Sequence, residues 1–284
     1  MTLINCHTHT VHSGHGEGTI AELADAAAAA GITTLAVTEH LPLPAGIDPG
    51  LEFSMAPGFM DSYRAQIEEA RRAHPEMEIV TGGELDWLSW RDDNLASRRA
   101  ACEGIEFVLG SVHFIDGWGF DDPAHRSPWE DPELADAAWR RYLQIWCEMA
   151  ESDLPIDCLS HPDLVKKFGV RPRFDLTEWN GRMAEAAARS GRMIELNTAG
   201  LRKEVGEEYP GPDLLKAFCR AGVDCTIGTD AHSPREVVLG LDRAVAALRE
   251  AGYNRVAVPT RDHDRRYLGL DDLSVSAASA AVRA

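Results

Sequence analysis

Two histidines spaced for metal binding stand almost at the start of the chain. In Asn5-Cys6-His7-Thr8-His9 the apolar lead-in predicts a short strand. On a strand, residues i and i+2 share a face, so the imidazoles of His7 and His9 project together. The same spacing returns at Asp230-Ala231-His232, directly after the apolar run Val223 to Ile227. Between these pairs come His15, Glu39-His40, Glu84, His113 and His161, most of them just past a short apolar segment. A lone histidine at a strand end is usually a surface or hydrogen-bonded residue. Seven of the eleven histidines sit at such positions, joined by Glu84 and Asp230, and that recurrence predicts a polynuclear metal centre. His12, His74, His125 and His263 fall outside the pattern.

The elements that must carry these residues alternate in type. Apolar runs predict strands at Leu3–His7, Thr34–Thr38, Glu78–Gly82, Phe107–Gly110, Ile156–Ser160, Met193–Asn197 and Val223–Gly228, with a weaker one at Arg255–Val258. Helical periodicity predicts Thr19–Ala30, Gly58–Ala73, Asp131–Glu151, Leu176–Arg189, Pro212–Ala221 and Pro234–Ala251. Gly31, Gly191, Gly222 and Gly252 stand where helices should stop, and Ser233-Pro234 reads as a helix start. Strand–helix alternation favours a parallel sheet covered by helices. Candidate ligands follow the ends of many strands rather than one crevice. That predicts a closed α/β barrel with its site at the C-terminal strand ends, not an open doubly wound sheet. The aromatic stretch from His113 to Asp131 is too long for a plain connector and is expected to face substrate.

The 284 residues suffice for one such barrel, expected over residues 1–270, with an Ala/Ser-rich tail over 271–284. A net charge of −18 argues against a general nucleic-acid binder. No apolar run approaches the about 18 residues of a membrane span, and no leader pattern precedes His7, so a cytoplasmic protein with a mature N-terminus is expected. The six cysteines form no CxxC pair and read as reduced, mostly buried thiols. Cys6 lies within the ligand strand but points to its opposite face, so packing is the expected role.

The segments NCHTHT (5–10), GHGEG (14–18), TEHLPLP (38–44), GGELDW (82–87), GSVHFIDGWGFDDP (110–123), SHPDLVKKFG (160–169), ELNTAGLRK (195–203) and GTDAHSP (228–234) together resemble the polymerase-and-histidinol-phosphatase phosphoesterase superfamily. The GWGFDDP, KKFG and NTAGLRK stretches resemble its histidinol-phosphate phosphatase branch. The resemblance implies a distorted, TIM-like (β/α)7 barrel with three divalent transition metals. His7, His9, Glu84 and Asp230 would hold the first. His15, His40 and His232 would hold the second, and His113, His161 and a bridging Glu84 the third. The implied reaction is hydrolysis of L-histidinol phosphate in histidine biosynthesis; the alternative is another small phosphate ester, such as a nucleotide or sugar phosphate.

Charge counting makes that chemistry plausible in an acidic protein. Three divalent ions, two carboxylates and one hydroxide leave a net charge near +3, enough to attract a phosphate dianion. Water shared between two metals loses a proton near neutral pH and becomes the nucleophile. Mixed nitrogen and oxygen ligation suits Zn, Mn or Fe. Glu84, Asp230 and His232 are therefore the expected catalytic groups. Arg202, Lys203, Lys166 and Lys167 follow strand ends and are expected to hold phosphate. Glu17 and Glu39 are candidates to orient histidine rings or meet a substrate amine. Trp118 and Phe120 could pack on an imidazole or close the loop.

Overall fold

The computed structural model describes residues 2–273. Residues 274–284, most of the expected tail, lie outside the described residues, while Leu273 forms a parallel bridge with Thr2. Element order begins with β1 (Leu3–Asn5), α1 (Ile20–Ala29), β2 (Ile32–Val37), α2 (Met60–Ala73), β3 (Glu78–Asp86), α3 (Asn94–Ala101) and β4 (Phe107–Ser111). A small hairpin follows, β5 (Phe114–Ile115) and β6 (Trp118–Gly119). Next come α4 (Pro132–Ala150), β7 (Cys158–Leu159), α5 (Thr177–Ser190), β8 (Met193–Asn197), α6 (Pro212–Arg220), β9 (Cys225–Gly228) and α7 (Leu241–Ala251). The hairpin β10 (Arg255–Pro259) and β11 (Arg265–Gly269) ends the order.

Seven strands form one parallel sheet in the order β1-β2-β3-β4-β7-β8-β9. It closes on itself. Cys6 N–H donates to Ile227 O (2.9 Å), Asp230 N–H to His7 O (2.9 Å) and His9 N–H to Ala231 O (2.7 Å). The result is the closed α/β barrel that the alternating pattern anticipates, in the distorted TIM-like (β/α)7 form that the resemblance implies. Such strands are covered on both faces, which is why they read as apolar runs: every residue of Met193–Asn197 is buried. Arg255–Val258 does form a strand but stands outside the barrel, paired antiparallel with β11 alone.

Helix ends follow local chemistry. The Thr19 hydroxyl accepts from Glu22 N–H (3.2 Å), while the Glu22 carboxylate accepts from Thr19 N–H (2.8 Å), a reciprocal cap that starts α1. Ile20, Leu23, Ala24 and Ala27 then form its buried stripe. Asp131 caps α4 through Glu133 N–H (2.8 Å), with Pro132 in the first turn. Gly191 and Gly252 end α5 and α7 in the left-handed conformation, as expected. Ser233-Pro234, by contrast, opens only a three-residue 3-10 turn, and α7 begins at Leu241. Helix α3 was not anticipated because its buried residues, Asn94 and Arg98, are polar and leave no apolar stripe.

Candidate metal centre

All nine expected ligands lie in or just beyond the C-terminal ends of barrel strands, or on the loop after the first. His7 and His9 follow β1, with His15 further along. His40 follows β2, Glu84 lies in β3, His113 follows β4, His161 follows β7, and Asp230 and His232 follow β9. His161 (φ 21°) and Asp230 (φ 51°) adopt positive φ, which non-glycine residues hold only when their surroundings impose it.

Four groups converge most closely. His7 Nε2 lies 3.0 Å from His9 Nε2, and Glu84 Oε2 lies 3.3 Å from each. Asp230 Oδ1 is 3.7 Å from His7 Nε2 and 3.3 Å from His9 Nε2. Donors arranged tetrahedrally around an ion at about 2.0–2.1 Å are spaced by about 3.3 Å, so this group matches a metal cage. Around it lie two further sets. Donor atoms of His9, His40 and His232 come together, and both of the other rings stack on His9 at 4.4 Å. On the other side, Glu84 Oε1 stands 2.9 Å from His161 Nε2 and 3.5 Å from His113 Nε2. Glu84 thus directs one oxygen to each side, as a bridging carboxylate must. Its Oε2, His40 Nδ1 and His232 Nε2 are buried without a hydrogen-bond partner among the described residues, although the first two approach to 2.9 Å.

His15 departs from the expected grouping. Its ring centroid lies 4.6 Å from that of His232 and 5.4 Å from that of His40, but the tight donor set there contains His9 instead. His15 Nδ1 is engaged by Ser13 O (2.9 Å) and Glu52 O (3.2 Å), which leaves Nε2 as the nitrogen open to a ligand role.

The electrostatics suit cations. Burial opposes charge on Glu84, yet His40, His7 and His113 hold its carboxyl well below the usual range. Asp230 behaves likewise, through His7 and His9. Burial would lower His113, but Asp86 and Glu84 raise it to about 10. His15, in contrast, is held down to about 4 by burial and by His40 and His9. His232 is also pushed well below its ordinary value, first by burial and then by His9. Buried carboxylates that favour positive charge, beside the His15 and His232 imidazoles that stay neutral with free lone pairs, form a donor set fit for divalent metals.

Behind the ligands stands a layer of acceptors, part of which the sequence reading missed. Glu195 Oε1 takes His7 Nδ1 (2.8 Å), and Oε2 accepts from His161 N–H (2.9 Å) and Asn197 Nδ2 (3.1 Å). Asp86 Oδ1 takes His113 Nδ1 (2.8 Å). His9 Nδ1 meets Ser13 Oγ (3.0 Å), which donates to Glu39, while Thr10 donates to the other Glu39 oxygen (2.6 Å). Such contacts fix ring orientation and tautomer. Glu195 had a signal: a lone acid in the apolar run Met193–Leu196. Asp86 had one too, since it is two residues from Glu84 on the same strand face. Gly228 makes the layer possible, because a Cβ there would collide with Glu195 Oε1 and stand 2.5 Å from His7 Cβ.

The expected phosphate contacts divide. Lys166 is buried, and its Nζ is consumed by Asp163 (2.7 Å), Glu207 (2.6 Å) and Glu208 O (2.8 Å), so it is a structural cation and not a phosphate ligand. The Trp118 ring meets Trp129 and Phe120, and Nε1 donates to His125 O (3.0 Å), contacts that suit the loop-closing alternative. Phe120 is buried against Tyr142. Glu17 has an exposed side chain and reaches the centre only through its N–H to His232 O (2.7 Å). Arg202 donates through Nη2 to Thr229 O (2.9 Å) and Asp230 O (3.1 Å), and Nε lies 3.3 Å from Glu236, leaving a buried Nη1 without a partner among the described residues. Lys167 pairs with Asp121 (2.9 Å). Lys203 reaches solvent, and its ammonium is held below the ordinary value by partial burial and by repulsion from Lys167 and Arg202. Lys167 and Arg202 thus act electrostatically on Lys203, with Asp230 opposing them.

A strand-end cage of histidines and carboxylates on a (β/α)7 barrel defines a metal-dependent hydrolase architecture. Residues 5–199 match the PHP domain model, and the chain belongs to this family of metal-dependent phosphoesterases. A Deinococcus radiodurans protein named "Probable histidinol-phosphatase" is 32% identical over 254 residues, covering 88% of this chain and 94% of that one. The histidinol-phosphatase of Bacillus subtilis is 22% identical, over 81% of this chain and 94% of its own. Histidinol phosphate phosphatase of Lactococcus lactis, crystallised with zinc, L-histidinol and phosphate, superposes with a TM-score of 0.74 at 21% identity. That match covers 93% of this chain and 98% of the other, and establishes the shared fold.

Proposed function

We propose that this chain is a phosphomonoesterase that hydrolyses L-histidinol phosphate to L-histidinol and phosphate. Residues 1–270 would act as one catalytic unit. The observation that carries the reading is the 3.0–3.7 Å spacing of the donor atoms of His7, His9, Glu84 and Asp230, flanked on both sides by further histidines. The names of relatives that span nearly the whole chain support the substrate.

We infer three divalent ions, of Zn, Mn or Fe, with His7, His9, Glu84 and Asp230 around the first. His40 and His232 would serve the second together with His15, and His113, His161 and Glu84 the third. When bound, they supply an activated water and neutralise charge on the phosphoryl oxygens. The chain's own residues do the rest. Glu195, Asp86 and the Ser13–Glu39 pair hold His7, His113 and His9 with their lone pairs turned inward. Lys203, Lys167 and Arg202 Nη1 attract and orient the phosphate dianion from one side of the cage. Arg202 also steadies the carbonyls on either side of the Asp230 amide. We read the place of action as the cytoplasm, where the six free thiols stay reduced, with a small molecule rather than nucleic acid or membrane as partner. Among the described residues no helix is long and apolar enough to cross a membrane.

Initial rates across a panel of phosphate esters test the substrate. Histidinol phosphate should exceed aryl phosphates in kcat/KM by at least about 100-fold, because amine and imidazole contacts are open only to it. Comparable values for both would move the substrate to another small ester.

A further inference from the structure

The loop that follows His40 holds a buried carboxylate that the metal cage does not use. Asp48 is 9% exposed, and both of its oxygens turn back on the loop itself. Oδ1 accepts from Glu52 N–H (2.8 Å), and Oδ2 accepts from Phe53 N–H (3.0 Å) and Ser54 Oγ (2.9 Å). Leu51 N–H donates to Asp48 O (3.2 Å), with Leu51 in the left-handed region at φ 53°. Met55 N–H then donates to His40 O (2.9 Å), so the closed turn is rooted beside a ligand. On its outer side, Glu52 O meets His15 Nδ1 at 3.2 Å. The approach is backbone to backbone: a Cβ on Gly14 would stand 2.5 Å from Leu51 O and 2.8 Å from Glu52 O. Glu52 is exposed and acts through its carbonyl alone, and what fixes that carbonyl is the Asp48 carboxylate.

We propose that Asp48 is a positioning residue for the metal centre, acting through the Glu52 carbonyl on His15. This rests on reading His15 as a ligand of the second ion. His7 and His9 are held in the closing seam of the barrel through His7 O and His9 N–H. His15 lies on the loop beyond, where no strand register holds its ring. A ligand histidine in that position is aimed by the acceptor at its other nitrogen. Two carbonyls face His15 Nδ1: Ser13 O (2.9 Å), which comes with the same loop, and Glu52 O, 37 residues away. Carbonyls only accept, so together they select the tautomer protonated at Nδ1 and leave the Nε2 lone pair for a metal. Without the Asp48 carboxylate the turn opens, Glu52 O leaves its place, and the ring is free to rotate and to exchange tautomers.

The test has two readouts on the full chain: imidazole nitrogen NMR without metal, and zinc binding titrated with chelator-buffered Zn²⁺. Asp48→Ala removes all three side-chain contacts. In the metal-free chain it should raise the share of His15 protonated at Nε2, while the other ligand histidines keep their tautomers. In the titration it should weaken one of three zinc-binding steps by about 10- to 100-fold and leave the other two unchanged. That step should be the one that His15→Ala weakens, and in a His15→Ala background Asp48→Ala should add little. An unmoved His15 tautomer, three unaltered zinc steps, or full additivity with His15→Ala each overturns the proposal. Should Asp48→Ala not fold, Asp48→Asn decides. It keeps an acceptor for Glu52 N–H but puts an amide donor where Oδ2 held Phe53 and Ser54, so both shifts should appear in smaller measure, and their absence refutes the role. Should His15→Ala keep all three zinc steps while Asp48→Ala still moves the tautomer, it is the reading of His15 as a ligand that fails, not the link from Asp48 to its ring.

Discussion

Glu84→Gln is the sharpest perturbation of the centre, because it keeps volume and removes only charge and one acceptor oxygen. Glu84 is 1% exposed. Its Oε2 lies 3.3 Å from Nε2 of both His7 and His9 and 2.9 Å from His40 Nδ1. Its Oε1 lies 2.9 Å from His161 Nε2 and 3.5 Å from His113 Nε2. Five imidazoles on two sides therefore answer to one carboxylate. Removing one member of a buried charged set costs about 3–5 kcal/mol. At about 1.36 kcal/mol per decade, that is roughly 10²- to 10⁴-fold in metal affinity. Because the two oxygens face different sets of histidines, the loss should fall on two ions together. His232→Ala touches one side only and should empty one. The assay is elemental analysis after equilibration with buffered zinc, with kcat/KM on the same samples. Glu84→Gln protein that keeps three ions, or whose kcat/KM stays within about 10-fold of wild type, refutes the bridging role.

Metal removal should be equally telling: the active chain should contain close to three transition-metal ions by elemental analysis, and chelation should abolish turnover, so one ion in fully active protein contradicts the trinuclear centre. Lys166→Met should lower the melting temperature, since Asp163 and Glu207 lose their buried cation, at a cost of about 3–5 kcal/mol, while KM in the folded fraction stays near wild type. A large KM increase without destabilisation would return Lys166 to the phosphate site. For Glu106, burial raises the carboxyl pKa, but Thr81 N–H (2.8 Å) and Arg71 lower it overall from 4.5. A depressed folded pKa gives stability that is present above about pH 4.5 and lost as pH falls through the folded value. The melting-temperature gap between wild type and Glu106→Gln should therefore be widest near pH 7 and narrow below pH 4.5; a constant gap excludes the linkage.

What could be read from the chain alone follows a physical divide. Ligands come from strand ends, where period-two spacing and apolar lead-ins are local signals, so His7, His9, Asp230 and His232 stand out without any long-range information. Barrel strands buried on both faces announce themselves as apolar runs, which is why Met193–Asn197 is found to the residue. Residues acting through long-range pairing are a different matter. Lys166 and Lys167 are neighbours of the same type, yet one is locked between Asp163 and Glu207 while the other meets Asp121 from a distant loop. Asp163 is a local partner three residues before Lys166, but nothing nearby reveals the acids 41 and 46 positions away. Helix α3 escaped for a related reason. Its inward residues, Asn94 and Arg98, are polar, and their burial makes sense only once Leu88 N–H and Pro42 O stand against them.

Arg202 shows how positioning and binding share one side chain. With Nη2 given to the carbonyls of Thr229 and Asp230 and Nε near Glu236, the guanidinium cannot offer phosphate a two-pronged grip. One buried Nη1 remains for that task. Loss of Arg202 should therefore reach the metals as well as the phosphate. Arg202→Met should release the loop that aims Asp230 at His7 and His9, weakening metal occupancy as well as phosphate inhibition. A pure clamp would weaken phosphate inhibition alone. Arg202→Lys separates the two effects: an ammonium keeps positive charge near the anion but cannot span both carbonyls and the anion at once. Lysine should then recover phosphate inhibition better than metal affinity. If both recover equally, the two tasks are not divided among the guanidinium nitrogens in this way, and the contacts to Thr229 and Asp230 are incidental to the centre.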